Sequence, residues 1–155
     1  MKKKLNFFCV LMLVLMAAQV IITFFLGADD FAEGWRKGAS EVHPKMTGEE
    51  FVDMLLCLAA AVAAIVPFVS FIRFVLNVNR NKVFEWGNVL LLRITGVGLL
   101  AFALLGTAEE LLSGVSLEEV YDDFFGILIF CVFNLIVAET FAIGLKLKEE
   151  QDLTI

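Results

Sequence analysis

The chain has 155 residues, 60% of them hydrophobic, and a mean hydropathy of +0.87. Soluble domains hold roughly 45–50% apolar residues, so the composition excludes both an ordinary water-soluble globule and a disordered chain. The formal charge of −6 is an average over segregated acids and bases, and it speaks to membrane topology rather than to a nucleic-acid partner.

The length is that of a single domain, 1–155. Met1 and three lysines precede an apolar run, Leu5–Leu26, of 22 residues. A signal peptide has a shorter core of about 7–15 residues, and Leu26 stands where a cleavage site needs a small side chain. A retained first span with its N-terminus in the cytoplasm is the better reading. Residues 27–50 form a polar outer loop, in which Phe31 and Trp35 suit a short interfacial helix. His43, the single histidine, has no partner motif. Thr47-Gly-Glu-Glu50 has the form of an N-cap with acids in the first turn, so a helix starts there.

The second span covers about 51–76. Ala60 and Ala64, like Ala59 and Ala63, are four apart, a spacing that lets helices approach closely in lipid, and a homo- or hetero-oligomer is expected through that face. Pro67 is expected to kink the helix. Residues 77–88, with Arg80, Lys82, Phe84 and Trp86, form a short inner loop. The third span, about 89–108, carries Arg93 near its start and the flexible pair Gly96 and Gly98. A second outer loop, 109–123, is rich in Glu and Asp, and Ser116-Leu-Glu-Glu119 again has the form of an N-cap.

The fourth span, 124–145, reads FFGILIFCVFNLIVAETFAIGL, 22 residues that are apolar except for Asn134, Glu139 and Thr140. At ~1.5 Å per residue it crosses a ~30 Å hydrocarbon core. A polar tail, 146–155, follows.

Four spans put nine basic residues inside (Lys2, Lys3, Lys4, Arg73, Arg80, Lys82, Arg93, Lys146 and Lys148) and three outside (Arg36, Lys37 and Lys45). The positive-inside rule then makes both termini cytoplasmic. The acids run the other way, thirteen outside and five inside. The expected fold is an all-α, antiparallel four-helix transmembrane bundle in a bacterial inner membrane, with the lipid bilayer as its solvent.

Arg93 and Glu139 each lie ~7–10 Å below the inner interface. A charge in hydrocarbon costs at least ~2.5–3.5 kcal/mol on the insertion scale, so the two are expected to face each other, with Asn134 extending the network. The pair serves either as a clamp on helix register or as a site for protons or a ligand. Cys9, Cys57 and Cys131 all lie in apolar runs, without a CxxC or a nearby histidine, and are expected to act as small hydrophobes, with a Cys57–Cys131 contact left open. No GxSxG, HExxH or phosphate-binding loop occurs. The sequence therefore points to a non-enzymatic protein with no cofactor, no metal and no catalytic residues.

Two inner segments carry a more specific pattern. One is Lys82-Val-Phe84 leading through Asn88 and Val89 to Leu92 and Arg93. The other contains Glu139, Phe141, Gly144 and Leu147 and ends in Glu149, Glu150, Gln151, Asp152, Leu153, Thr154 and Ile155. Together they resemble a family of small bacterial four-span membrane proteins of unknown function. Its members read G-K-x-F, then E-N-V and L-R, before the third span, and end in E-E-Q-D-L-T-I. Here Asn81 stands in place of the glycine and Gly87 in place of the glutamate. The resemblance implies no reaction and no cofactor. Genes of that family often lie beside genes for small Cro-like helix-turn-helix regulators, which implies a cytosolic DNA-binding partner, while this chain has no DNA-binding element of its own.

The tail itself is open to two readings. Either Leu153 and Ile155 dock on residues 77–88, with Glu149, Glu150 and Asp152 near Arg73, Arg80 or Lys82, or the tail is free for capture by a partner. The leading function is regulation or sensing through a cytosolic partner. The rivals are a small-solute transporter or immunity-type protein using Arg93, Asn134 and Glu139, and an accessory subunit of a membrane complex.

Overall fold

The structure, a computed structural model, describes residues 2–40, 48–112 and 114–153. Helices form throughout: α1 Lys2–Leu26, α2 Ala28–Ser40, α3 Gly48–Asn79, α4 Trp86–Leu112 and α5 Leu117–Asp152. No strand occurs among the described residues. Four of the helices contain segments long and apolar enough to cross a membrane: Lys4–Leu26, Met54–Asn79, Trp86–Leu112 and Phe124–Asp152. Large apolar side chains such as Phe7, Ile22, Val62, Ile65, Leu90, Val97, Ile129 and Ile136 are exposed along them. Water would not tolerate so much contiguous apolar surface, whereas lipid tails match it. A multi-pass membrane protein follows at that level of description.

The chain divides into two compact units, Met1–Phe51 and Val52–Ile155. In the first, Gly27 alone separates α1 from α2, and its N–H still donates to Thr23 O at 2.9 Å. Helix α2 is amphipathic: Phe31 and Trp35 stack with ring centroids 6.3 Å apart, and the opposite face carries a Glu33–Lys37 ion pair at 2.7 Å. His43, Lys45 and Thr47 lie outside the described residues.

In the second unit, Asn77 of α3 meets Asn88 of α4, and Trp86 of α4 meets Glu149 of α5. The core is built from Val75 and Val78 of α3, Val89, Leu92 and Ala103 of α4, and Cys131, Ala138, Ala142 and Leu145 of α5. Small residues set the approach of these helices. A Cβ on Gly96 would lie 2.7 Å from Leu135 Cδ2, and one on Gly98 would lie 2.9 Å from the Pro67 ring. The sequence suggests flexibility at these glycines, but packing is their role: they let α5 and α3 close against α4. Cys131 is buried and its thiol donates to Gly96 O at 3.0 Å, while Cys57 is exposed. All three cysteines are free.

The helices run beyond the expected spans because their ends are capped. At the end of α3, Lys82 N donates to Asn77 O (2.9 Å) and Asn81 N to Val78 O (3.0 Å), with Asn81 at φ 64°. At the end of α4, Val115 N donates to Glu110 O (3.0 Å) and Gly114 N to Leu111 O (3.2 Å), with Gly114 at φ 83°. Both are Schellman caps with a left-handed residue just past the helix. Ser116 then precedes Leu117, the first residue of α5, in the capping position. The tail read as polar and separate is helical to Asp152: Lys, Glu and Gln are good helix formers and extend a helix already nucleated in the span.

Candidate functional site

The α3–α4 turn and the end of α5 meet in one cluster at a single end of the second unit. Its hub is Asn88, in the first turn of α4 and 0% exposed. Its Nδ2 donates to the carbonyls of Lys82 and Val83, and its Oδ1 accepts from Asn77 Nδ2 at 2.9 Å. An amide group has two donor hydrogens and one carbonyl oxygen, and here all are used. The left-handed turn at Asn81 presents the two carbonyls that Asn88 binds. Glycine adopts that conformation most freely and Asn is the next best residue for it.

Three rings complete the cluster. Phe141 of α5 meets Phe74 of α3 edge to face at 5.9 Å and stacks on Phe84 of the turn at 5.8 Å. Gly144, one turn beyond Phe141, lies against the same ring: a Cβ there would be in ordinary contact with Phe84 at 3.5 Å. Beside this column, Trp86 Nε1 donates to Glu149 Oε1 at 2.7 Å, pinning the last turns of α5 to the start of α4. The two inner segments singled out in the sequence are thus one piece of architecture. The signals that sequence reading missed are Asn77, Phe74 and Trp86, whose partners lie on other helices.

Arg93 and Glu139 come together about two turns deeper. Arg93 Nη2 lies 2.7 Å and Nε 2.9 Å from Glu139 Oε1. The side chains are 47% and 59% exposed, so the pair opens outward from the helices rather than into a polar cavity. Asn134 does not join it. That residue is buried, and its Nδ2 donates to Phe130 O of its own helix at 3.0 Å; an amide in an apolar environment takes the nearest carbonyl. A cleft between α4 and α5, lined by Phe102, Ala103, Gly106, Thr107, Glu110, Phe124 and Ile127, does not include Arg93, Asn134 or Glu139.

The first of the two tail readings is met in part, since Glu149 reaches Trp86 within residues 77–88. Leu153 is 87% exposed, and Glu149 binds Trp86 rather than Arg73, Arg80 or Lys82. Glu150 and Asp152 lie on the exposed last turn, and Thr154 and Ile155 lie outside the described residues. Among the described residues, no group of three or more His, Cys, Asp or Glu side chains converges to hold a metal.

A family model described as a protein of unknown function, DUF2975, matches residues 36–155. The chain belongs to this family. No curated protein and no solved structure matches it. The DUF2975 match covers α3, α4, α5 and the whole Asn88 cluster, and the description names no reaction, cofactor or partner.

Proposed function

We propose that this DUF2975 chain is a non-enzymatic protein of the bacterial inner membrane that regulates or senses by holding a cytosolic partner at the end of α5. The four spans would cross as an antiparallel bundle with both termini in the cytoplasm, an orientation supported by the distribution of Lys and Arg. The observation that carries the reading is the state of α5 beyond the bilayer. Its last turns are pinned by Trp86 and Glu149, yet Leu153 is 87% exposed. A pinned helical end with an exposed Leu and an acid at 152 gives a partner a preorganised surface at little entropic cost.

The partner that the sequence resemblance implies, a small helix-turn-helix regulator, carries a basic face for DNA. An acidic helix end competes for such a face by charge, so capture at the membrane and binding to DNA would exclude one another. Release would follow from a change in the bilayer or in the acidic outer loops. A transport path has less support, because Asn134 is committed to its own helix and the Arg93–Glu139 pair opens outward.

The test is a detergent pull-down with the intact chain and a chain ending at Glu150, which keeps the Trp86–Glu149 bond. Capture of a co-expressed helix-turn-helix protein by the intact chain, and its loss with the truncation, supports the reading. Equal capture by both, or by neither, overturns it.

A further inference from the structure

The Arg93–Glu139 pair is only half used within one chain. Both Nε and Nη2 of Arg93 address the same oxygen, Glu139 Oε1. Arg–carboxylate pairs commonly engage both oxygens, and here Oε2 and Nη1 take no part. About half of each side chain is exposed, in surroundings that should not leave it so. Leu90 and Val97, a turn on either side of Arg93, and Ile136 and Ile143, a turn on either side of Glu139, are exposed apolar residues. Trp86 suits the headgroup level, and Arg93 lies about 10 Å further along α4 at 1.5 Å per residue, where unpaired charge is costly. Helix α3 packs elsewhere, since Thr95 and Gly98 of α4 turn toward Pro67.

We infer that this face is a homodimer interface, in which two copies join their Arg93–Glu139 pairs into a ring of four charges. Two copies inserted with the same orientation are related by a two-fold axis along the bilayer normal. That axis exchanges left and right on the shared face while keeping depth. Arg93 and Glu139 stand side by side at one depth, so each Arg93 meets the Glu139 of the other copy. The unused Oε2 and Nη1 gain partners, and Leu90, Val97, Ile136 and Ile143 close around the ring and exclude water. A C2 interface must be self-complementary, and a side-by-side pair of opposite charges at equal depth meets that condition. An anionic lipid headgroup would satisfy Arg93 alone and repel Glu139. The inference concerns a different surface from the end of α5 and stands independently of the cytosolic-partner reading.

The test co-expresses the full chain with two different tags and purifies through one of them. Wild-type copies are expected to co-purify, with a protein mass in nanodiscs of twice the 17.2 kDa chain. Arg93→Glu in both copies, or Glu139→Arg in both, places like charges in the ring and should reduce co-purification by about tenfold or more. Arg93→Glu in one copy with Glu139→Arg in the other breaks both pairs within chains but restores both between chains, and should recover it. A monomeric wild type overturns the inference, as does undiminished association of the single variants or a mixed pair no better than either alone. If the charge variants do not accumulate, a Cys57→Ser chain carrying Ile136→Cys decides instead. Oxidation must give a disulfide-linked dimer there and none with Val62→Cys on α3, and absence of the Ile136→Cys dimer overturns the inference.

Discussion

Asn77 Nδ2 donates to Asn88 Oδ1 at 2.9 Å, joining the last turns of α3 to the first turn of α4 through a side chain that is wholly buried. The same Asn88 holds the carbonyls of Lys82 and Val83, so one residue fixes the turn, the angle at which α4 leaves it, and the level at which Phe84 and Trp86 meet α5.

Replacing Asn88 should therefore cost more than an ordinary polar substitution. Asn88→Ala removes three hydrogen bonds and leaves buried partners unsatisfied, a loss of about 2–4 kcal/mol. Asn88→Asp should be at least as damaging, because it keeps the volume but turns a carboxylate oxygen toward two carbonyls. Unfolding of the reconstituted protein by SDS titration reads both, and a smaller effect for Asp than for Ala would contradict the assignment of donors.

Asn81 tests the backbone rather than the side chain. At φ 64° glycine has no steric cost, so Asn81→Gly should be neutral or stabilising, while Asn81→Val should cost about 1–2 kcal/mol. Amide exchange at Arg80 and Lys82 should slow or hold in the first variant and speed up in the second.

The two glycines of α4 should differ in tolerance. Gly98→Ala drives a methyl into the rigid Pro67 ring and Gly96→Ala into the rotatable side chain of Leu135. Overpacking costs about 1–3 kcal/mol, and Gly98→Ala should lie toward the upper end. Leu135→Ala should partly rescue Gly96→Ala and leave Gly98→Ala unchanged, as measured by thermal unfolding in detergent.

Trp86→Phe and Glu149→Ala probe the pin on α5. The bond is exposed, so the loss of global stability should be small, about 1 kcal/mol or less. The local effect should be larger: faster amide exchange from Glu149 to Leu153, with the centre of α5 unaffected. Equal exchange in wild type and variants would show that the last turns are held by helix propensity alone.

Some of this architecture was determined by the sequence alone. Four apolar runs, their lengths and the placement of Lys and Arg suffice for four membrane-spanning helices, since each depends only on local hydropathy. Ser116 and the Phe31–Trp35 spacing likewise marked α5 and α2 from neighbouring residues. Arg93 and Glu139 stood out because a charge in an apolar run demands a partner. What the tertiary structure decided were the identities of partners and the direction each group faces. Asn134 turned to its own helix, the ion pair opened outward, Gly96 and Gly98 became contact points rather than hinges, and Asn88 became a hub for carbonyls that lie close in sequence but on a turn. In a membrane helix most residues are apolar on every face, so periodicity does not tell the lipid side from the packed side. Only the approach of another backbone, set by glycine and proline on facing helices, settles which polar atoms meet.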